Sequence, residues 1–133
     1  MGKRINTALL DLTLNAIKTG TGALGPADKQ VLLTSEPTSY ADATGAAKLA
    51  EVAMASGDFT VGAGAGAGTS PRRLTVAAKA GVSITADGVA SHVALIDTAH
   101  SAVLLVTTCT PQSVTSGQSL DLPSWTQEIG APA

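Results

Sequence analysis

Two apolar runs separated by one polar segment dominate the hydrophobic pattern of this chain. Residues 93–96 (VALI) and 102–106 (AVLLV) are strand-length, and residues 97–101 (DTAHS) lie between them. This arrangement predicts a β-hairpin with a loop of four to five residues. Neither run alternates between apolar and polar positions, which is typical of strands covered on both faces. We therefore expect residues 88–108 to form a central hairpin, with Leu95 and Leu104 in the core.

Alternation with a period of two indicates further strands on both sides of this hairpin. Residues 74–79 and 82–86 alternate between aliphatic and other positions, and Asp87-Gly88 predicts a tight turn into the hairpin. Short strands separated by turns are typical of an antiparallel sandwich or barrel. The predicted fold is mainly β, an antiparallel, jelly-roll-like β-sandwich over about residues 29–129. Its other predicted strands are residues 29–34, 112–115, 118–122 and 125–129.

The segment from Ala41 to Ala55 (ADATGAAKLAEVAMA) carries two competing signals. Its composition favours a helix, whereas the alternation of Leu49, Glu51 and Ala53 suits an edge strand. We interpret it as irregular structure followed by a strand from about Lys48.

One N-terminal α-helix is predicted from Asn6 to Lys18. Asn6 or Thr7 can cap its first turn, and Gly20 offers a left-handed stop. The helix is apolar on two adjacent stripes, so it is expected to pack on the sheet of its own chain or on a neighbouring chain. The two stripes consist of Leu9, Leu12 and Ala16, and of Leu10, Leu14 and Ile17.

A low-complexity run of alternating Gly and Ala spans residues 62–68. A phosphate-binding loop would need a Lys-Ser or Lys-Thr pair after it, but Thr69-Ser70-Pro71 follows. A dinucleotide-binding fingerprint would need a helix next, and a strand-like segment follows instead. A silk-like strand stacked between copies is conceivable. We interpret the run as a flexible surface loop between two strands.

Length, composition and charge limit the class of protein. A chain of 133 residues with 2% aromatic residues is expected to form a single domain, residues 1–133, with a core of Val, Leu, Ile and Ala. The net charge of −2 and the few aromatic residues argue against nucleic acid as a partner. No apolar run approaches the roughly 18 residues of a membrane span, so no membrane partner is expected. The single cysteine, Cys109, excludes an intrachain disulfide and is expected to be a small buried hydrophobe.

The charges are distributed unevenly along the chain. All eight Lys and Arg residues precede residue 80, whereas residues 80–133 carry four acids and no Lys or Arg. The acidic part is either a solvated β surface or a patch that meets the basic part of a neighbouring copy.

His92, His100, Asp97 and Cys109 are the residues with the strongest potential for chemistry. The two histidines flank the predicted hairpin loop and could approach each other, but no third metal ligand is suitably spaced. No cation lies near Cys109 in sequence to activate it. Asp97 is expected in the hairpin loop, where its replacement should cost well under about 1 kcal/mol unless its carboxylate caps the turn or binds a partner. We therefore predict no enzyme, and no catalytic, cofactor-binding or metal-binding residue.

Several segments resemble a family of small virion proteins of tailed bacteriophages. The resemblance rests on the helix sequence LLDLTLNAIK at residues 9–18 and on segments along nearly the whole chain. These other segments are residues 35–43 (SEPTSYADA), 57–60 (GDFT), 73–79 (RLTVAAK), 90–97 (ASHVALID), 105–110 (LVTTCT) and 112–117 (QSVTSG).

The resemblance implies a non-enzymatic virion protein used in many copies and made in the bacterial cytoplasm. We expect a capsid decoration or cement protein that binds the major capsid protein and forms a homo-oligomer, without a cofactor. The alternative is a neck, tail or fibre-associated sandwich that binds a host glycan. This alternative requires a concave site with a polar cluster and an aromatic residue, for which Trp125 and Tyr40 are suitable. The candidate interface residues are Leu9, Leu10, Leu12, Ile17, Arg72 and Arg73.

Overall fold

The computed structural model describes residues 14–21, 24–63 and 72–129, and it confirms a mainly β fold with antiparallel sheets. No helix in these ranges is long and apolar enough to cross a membrane. The elements are helix α1 (residues 14–19), β1 (Lys29–Leu33), helix α2 (Tyr40–Thr44), β2 (Lys48–Ala53), a 3-10 turn (Ser56–Asp58), β3 (Phe59–Ala63), β4 (Arg72–Val76), β5 (Lys79–Ser83), β6 (Gly88–Asp97), β7 (Ala102–Val114), β8 (Ser119–Leu122) and β9 (Trp125–Ile129).

The described strands form three antiparallel sheets. A four-stranded sheet has the order β2-β1-β6-β7, a three-stranded sheet the order β3-β4-β9, and β5 pairs with β8. Because side chains alternate between the two faces of a strand, the four-stranded sheet has two distinct faces to cover.

Both smaller sheets pack on one face of the four-stranded sheet. Leu32 and Val93 on this face join Leu122 of the β5–β8 pair in one buried cluster. Leu95 joins Phe59 and Leu74 of the three-stranded sheet in a second cluster. The core is therefore a sandwich of one wide sheet against two narrow ones.

Helix α2 covers the opposite face of the wide sheet. Ala43 of this helix is fully buried in a cluster with Val31, Leu33, Ala94 and Ile96 of β1 and β6. The Ser39 hydroxyl caps the helix by accepting a hydrogen bond from the Asp42 amide at 3.2 Å. The strand expected from Lys48 is confirmed, whereas the one-turn helix before it was not predicted.

The predicted hairpin is confirmed, but its two strands differ in burial. β6 lies inside its sheet with Val93 to Asp97 buried, whereas β7 is the outermost described strand. Leu95 is 0% exposed, as expected, while Leu104 is only half-buried. The expectation that Leu104 lies at the centre of the core was wrong, because no described strand flanks β7 on its outer side.

β7 continues to Val114, so the separate strand expected at residues 112–115 is the end of this longer one. Val114 pairs with Gly88, and the register shifts between Ala90 and His92. Pro111 lies in this irregular stretch, where a missing backbone N–H disturbs the ladder least.

Two other expectations fall partly outside the described residues. Residues 14–18 of the predicted helix are helical and the helix continues to residue 19, whereas residues 6–13 lie outside the described part. The Gly-Ala run was expected to be a loop throughout, but Gly62 and Ala63 belong to β3 and pair with Arg73 and Arg72. The rest of the run lies outside the described residues.

We expect Leu95→Ala to destabilise the protein more than Leu104→Ala does. Truncating the fully buried Leu95 should lower the free energy of unfolding by about 2–5 kcal/mol, and truncating the half-buried Leu104 by about 1 kcal/mol. Urea denaturation of the two variants measures both values. Equal losses would contradict an outer position for β7.

Candidate functional site

Polar groups converge at two places in the fold. One is the buried carboxylate of Asp97 at the end of β6, and the other is a cleft between the sheets beside β7. Each contains a buried polar side chain, Asp97 in the first and Gln30 in the second.

Asp97 is 1% exposed and accepts hydrogen bonds from two parts of the chain. Its Oδ2 accepts from the backbone amide of Gly25 at 2.7 Å and lies 2.5 Å from Nδ1 of His100. Its Oδ1 accepts from the amides of Ala99 at 3.0 Å and His100 at 3.3 Å. The carboxylate therefore stabilises the β6–β7 loop and connects it by a hydrogen bond to the segment before β1.

These hydrogen bonds determine the protonation state of Asp97. Burial alone would raise the pKa of its carboxyl group, but the hydrogen bonds from His100 and from the Gly25 amide outweigh burial. The pKa of Asp97 is therefore held below its ordinary value. The Asp97 carboxylate is buried and caps the hairpin loop, whose residues 99–101 are exposed.

An Asp–His pair is one part of many catalytic and metal-binding sites. No group of three or more His, Cys, Asp or Glu residues that could hold a metal was found in the described part of the chain. The two histidines, which the sequence allowed to approach each other, are far apart. His92 pairs with Thr108 and Leu33, five residues before the end of β6, which places it roughly 16 Å from the loop.

The second place is a cleft of about 620 Å³ between the wide sheet and the β8–β9 segment. A volume of this size is typical of small-molecule sites. Its floor consists of Gln30, Leu32, Ala90 and Val93 from β1 and β6. Its walls consist of Thr107, Thr108, Cys109, Thr110 and Gln112 of β7 and of Leu120, Asp121, Leu122, Pro123, Trp125 and Thr126.

Gln30 is the unusual residue of this cleft. It is 0% exposed, and its Oε1 accepts a hydrogen bond from Nε1 of Trp125 at 2.8 Å. Because the indole N–H can only donate, this bond fixes which end of the Gln30 amide is oxygen. The Nε2 group of Gln30 is then left without a hydrogen-bond partner. A buried amide donor in this state destabilises the free protein by about 1–3 kcal/mol.

The Cys109 thiol also lines the cleft. It is half-buried, and burial raises the pKa of the thiol. At neutral pH the sulfur is therefore protonated and weakly nucleophilic, which argues against thiolate catalysis in the cleft.

The remaining residues singled out from the sequence do not form one site. Ile17 is half-buried and packs with Leu14 against the core of its own chain. Arg72 and Arg73 are half-buried in β4, and Tyr40 packs on the α2 side of the wide sheet, away from Trp125. Leu9, Leu10 and Leu12 lie outside the described residues.

Comparison with known proteins gave no match to a family model, a curated protein or a solved structure.

We expect Asp97→Asn to lower the free energy of unfolding by about 2–4 kcal/mol at pH 7, since an amide nitrogen would replace one acceptor of a buried network. Asp87→Asn is the matched control, because Asp87 is exposed and accepts one hydrogen bond, from the Ser116 amide at 2.7 Å. Urea denaturation of both variants measures the losses. Equal losses would contradict a special role for Asp97.

The stabilisation from Asp97 should also depend on pH in a defined direction. Because the folded-state pKa of Asp97 is lowered, its contribution is fully present above the unfolded-state value of about 3.9. It is lost as the pH falls below that value toward the folded-state pKa. The stability difference between the wild type and Asp97→Asn should therefore shrink between pH 5 and about pH 2. A difference that stays constant over this range would contradict the assignment.

Proposed function

We propose that this chain is a non-enzymatic structural protein of a tailed-phage virion, a capsid decoration protein that binds the major capsid protein. The sequence resemblance supports the class of protein. The observation that carries a binding role is the outer edge of β7. This strand is 13 residues long and contains no charged residue.

Natural β proteins guard their sheet edges, because an open strand edge pairs readily with another chain. The two edges of the wide sheet differ in this respect. On the β2 edge, Glu51 is paired with Lys29 at 2.7 Å and with Lys48 at 3.0 Å. Those charges and the shortness of β2 disfavour pairing with another chain.

The β7 edge carries no charged side chain, and its ladder to β6 is interrupted at two register shifts. Thr108 and residues 110–113 are exposed, and uncharged Thr and Val residues along β7 favour strand pairing. Pro111 interrupts the edge at one point only. A strand of the capsid protein that adds to β7 would extend the wide sheet and supply main-chain hydrogen bonds. Repetition of this contact over a capsid is consistent with the expected many copies.

Quantitative mass spectrometry of purified particles tests the proposed role. We expect this chain in a number comparable with that of the capsid subunits, because a decoration protein binds a repeated surface. A count of a few copies per particle would overturn the decoration role in favour of a neck or tail position. Absence from the particles would overturn the virion role altogether.

Lysine substitutions on β7 test the proposed contact. Thr108→Lys and Ser113→Lys should each weaken co-sedimentation of the purified chain with particles that lack it by at least tenfold, a loss of about 1.4 kcal/mol in binding. Thr60→Lys on β3 is the control, since Thr60 is also an exposed strand residue. Binding that is unchanged in both β7 variants would contradict the proposed edge.

A further inference from the structure

The strongest additional feature of the molecule is the cleft beside β7, because it contains a buried donor without an acceptor. The Nε2 group of Gln30 lacks a hydrogen-bond acceptor. The hydrogen bond from the Trp125 indole fixes the orientation of the Gln30 amide, so a flip of the amide cannot supply that acceptor. Buried polar groups in native proteins are nearly always satisfied, so an exception calls for an explanation. A ligand with an acceptor oxygen would complete the hydrogen bonding of Gln30.

The depth of Gln30 determines the kind of ligand. Gln30 is on β1, and β6 separates β1 from β7 at the cleft wall. Adjacent strands are about 4.8 Å apart, so β1 lies roughly 10 Å from β7. A peptide strand added outside β7 would be roughly 15 Å from β1, too far for its side chains to reach Gln30. A strand added outside β7 therefore cannot be the partner of Gln30, whereas the cleft volume of about 620 Å³ fits a small molecule that enters the space between the sheets.

The charges of the lining favour an uncharged ligand. Among the described residues that line the cleft, Asp121 is the one acidic residue, and no Lys, Arg or His is present. An anion would meet a carboxylate and no cation, which is unfavourable in a partly enclosed space. The Asp121 carboxylate is exposed and its Oδ1 accepts from the Gly81 amide at 2.9 Å, so the same group can accept from a ligand hydroxyl.

The distribution of polar groups matches a molecule with an apolar body and several hydroxyls. The floor presents the aliphatic side chains of Leu32 and Val93, and Trp125 adds an aromatic ring. The wall includes Thr107, Thr108 and Thr110, and Thr107 is opposite Val93 on the cleft face of the wide sheet. We propose that this cleft binds a neutral sugar, with one oxygen accepting from Nε2 of Gln30. The outer hydroxyls of the sugar contact the threonines and Asp121.

This inference is independent of the proposed capsid role, since it rests on Gln30 and the cleft rather than on the β7 edge. In this inference Trp125 is the aromatic residue that a glycan-binding module requires. Tyr40 has no part in it, because it lies on the α2 side of the wide sheet.

Intrinsic fluorescence provides a direct test, because Trp125 is the single tryptophan of the chain. The full chain is titrated with lactose, maltose, cellobiose and N,N′-diacetylchitobiose, with glucuronic acid as the anionic comparison and an uncharged blocked tetrapeptide as the peptide comparison. We expect a saturable change with at least one neutral sugar at a Kd of about 1 mM or tighter. Glucuronic acid and the peptide should bind more weakly.

Three variants locate the response. Gln30→Met removes the amide donor at similar volume, and with it the acceptor of the Trp125 indole N–H. Asp121→Asn changes an exposed residue of the cleft and leaves Gln30 and Trp125 in place. Each should weaken sugar binding by about tenfold or more, whereas Thr60→Val on β3 should leave it unchanged. Asp121→Asn decides the question if Gln30→Met does not fold. The inference is overturned by the absence of saturation with every neutral sugar, by an unchanged affinity in Asp121→Asn, or by a response to the peptide alone.

Discussion

The buried carboxylate of Asp97 is the constraint on which the arrangement of this fold depends. A charge in an apolar interior is unfavourable unless hydrogen bonds compensate for it. Here the hydrogen bonds come from two segments that are far apart in the sequence. Gly25 donates from the segment before β1, and His100 donates from the hairpin loop. Gly25 has a φ of +71°, and a Cβ there would lie 2.0 Å from the carbonyl oxygen of Ala16. Glycine is therefore required where the linker passes between α1 and the carboxylate.

Asp28 extends this connection to a third part of the chain. Its carboxylate accepts from the Thr98 amide at 3.0 Å and from the Thr98 hydroxyl. Its backbone amide donates to Ile96, and its carbonyl accepts from Met54. The hairpin loop, the start of β1 and the end of β2 are thus fixed to one another by main-chain and carboxylate hydrogen bonds. This explains how a core with so few aromatic side chains keeps its strands in register.

Periodicity in the sequence predicted most strands but not which polar residues are buried. The runs at 29–34, 93–96 and 125–129 are strands because their side chains match a pleated, partly covered surface. The burial of Asp97 was not predicted, because a polar segment between two apolar runs is usually solvated and because its partner Gly25 is 72 residues away. Such a long-range hydrogen bond leaves no trace in a local pattern. The outer position of β7 was missed for the same reason, since strand order depends on pairing across the chain.

Gln30 is different, because a local signal for its burial exists. It stands two positions before Leu32 on β1, so strand geometry places both side chains on the same inward face. A polar residue at an inward position needs a partner, and Trp125, 95 residues away, supplies only a donor. The imbalance follows from the chemistry of the pair, since a glutamine has both an acceptor and a donor while an indole satisfies only the acceptor. An apolar residue at position 30 would remove the unpaired donor but would leave the Trp125 indole N–H without its acceptor. The stability of the sandwich therefore accounts for the oxygen of Gln30, and the acceptor that we propose in the cleft would account for its Nε2 group.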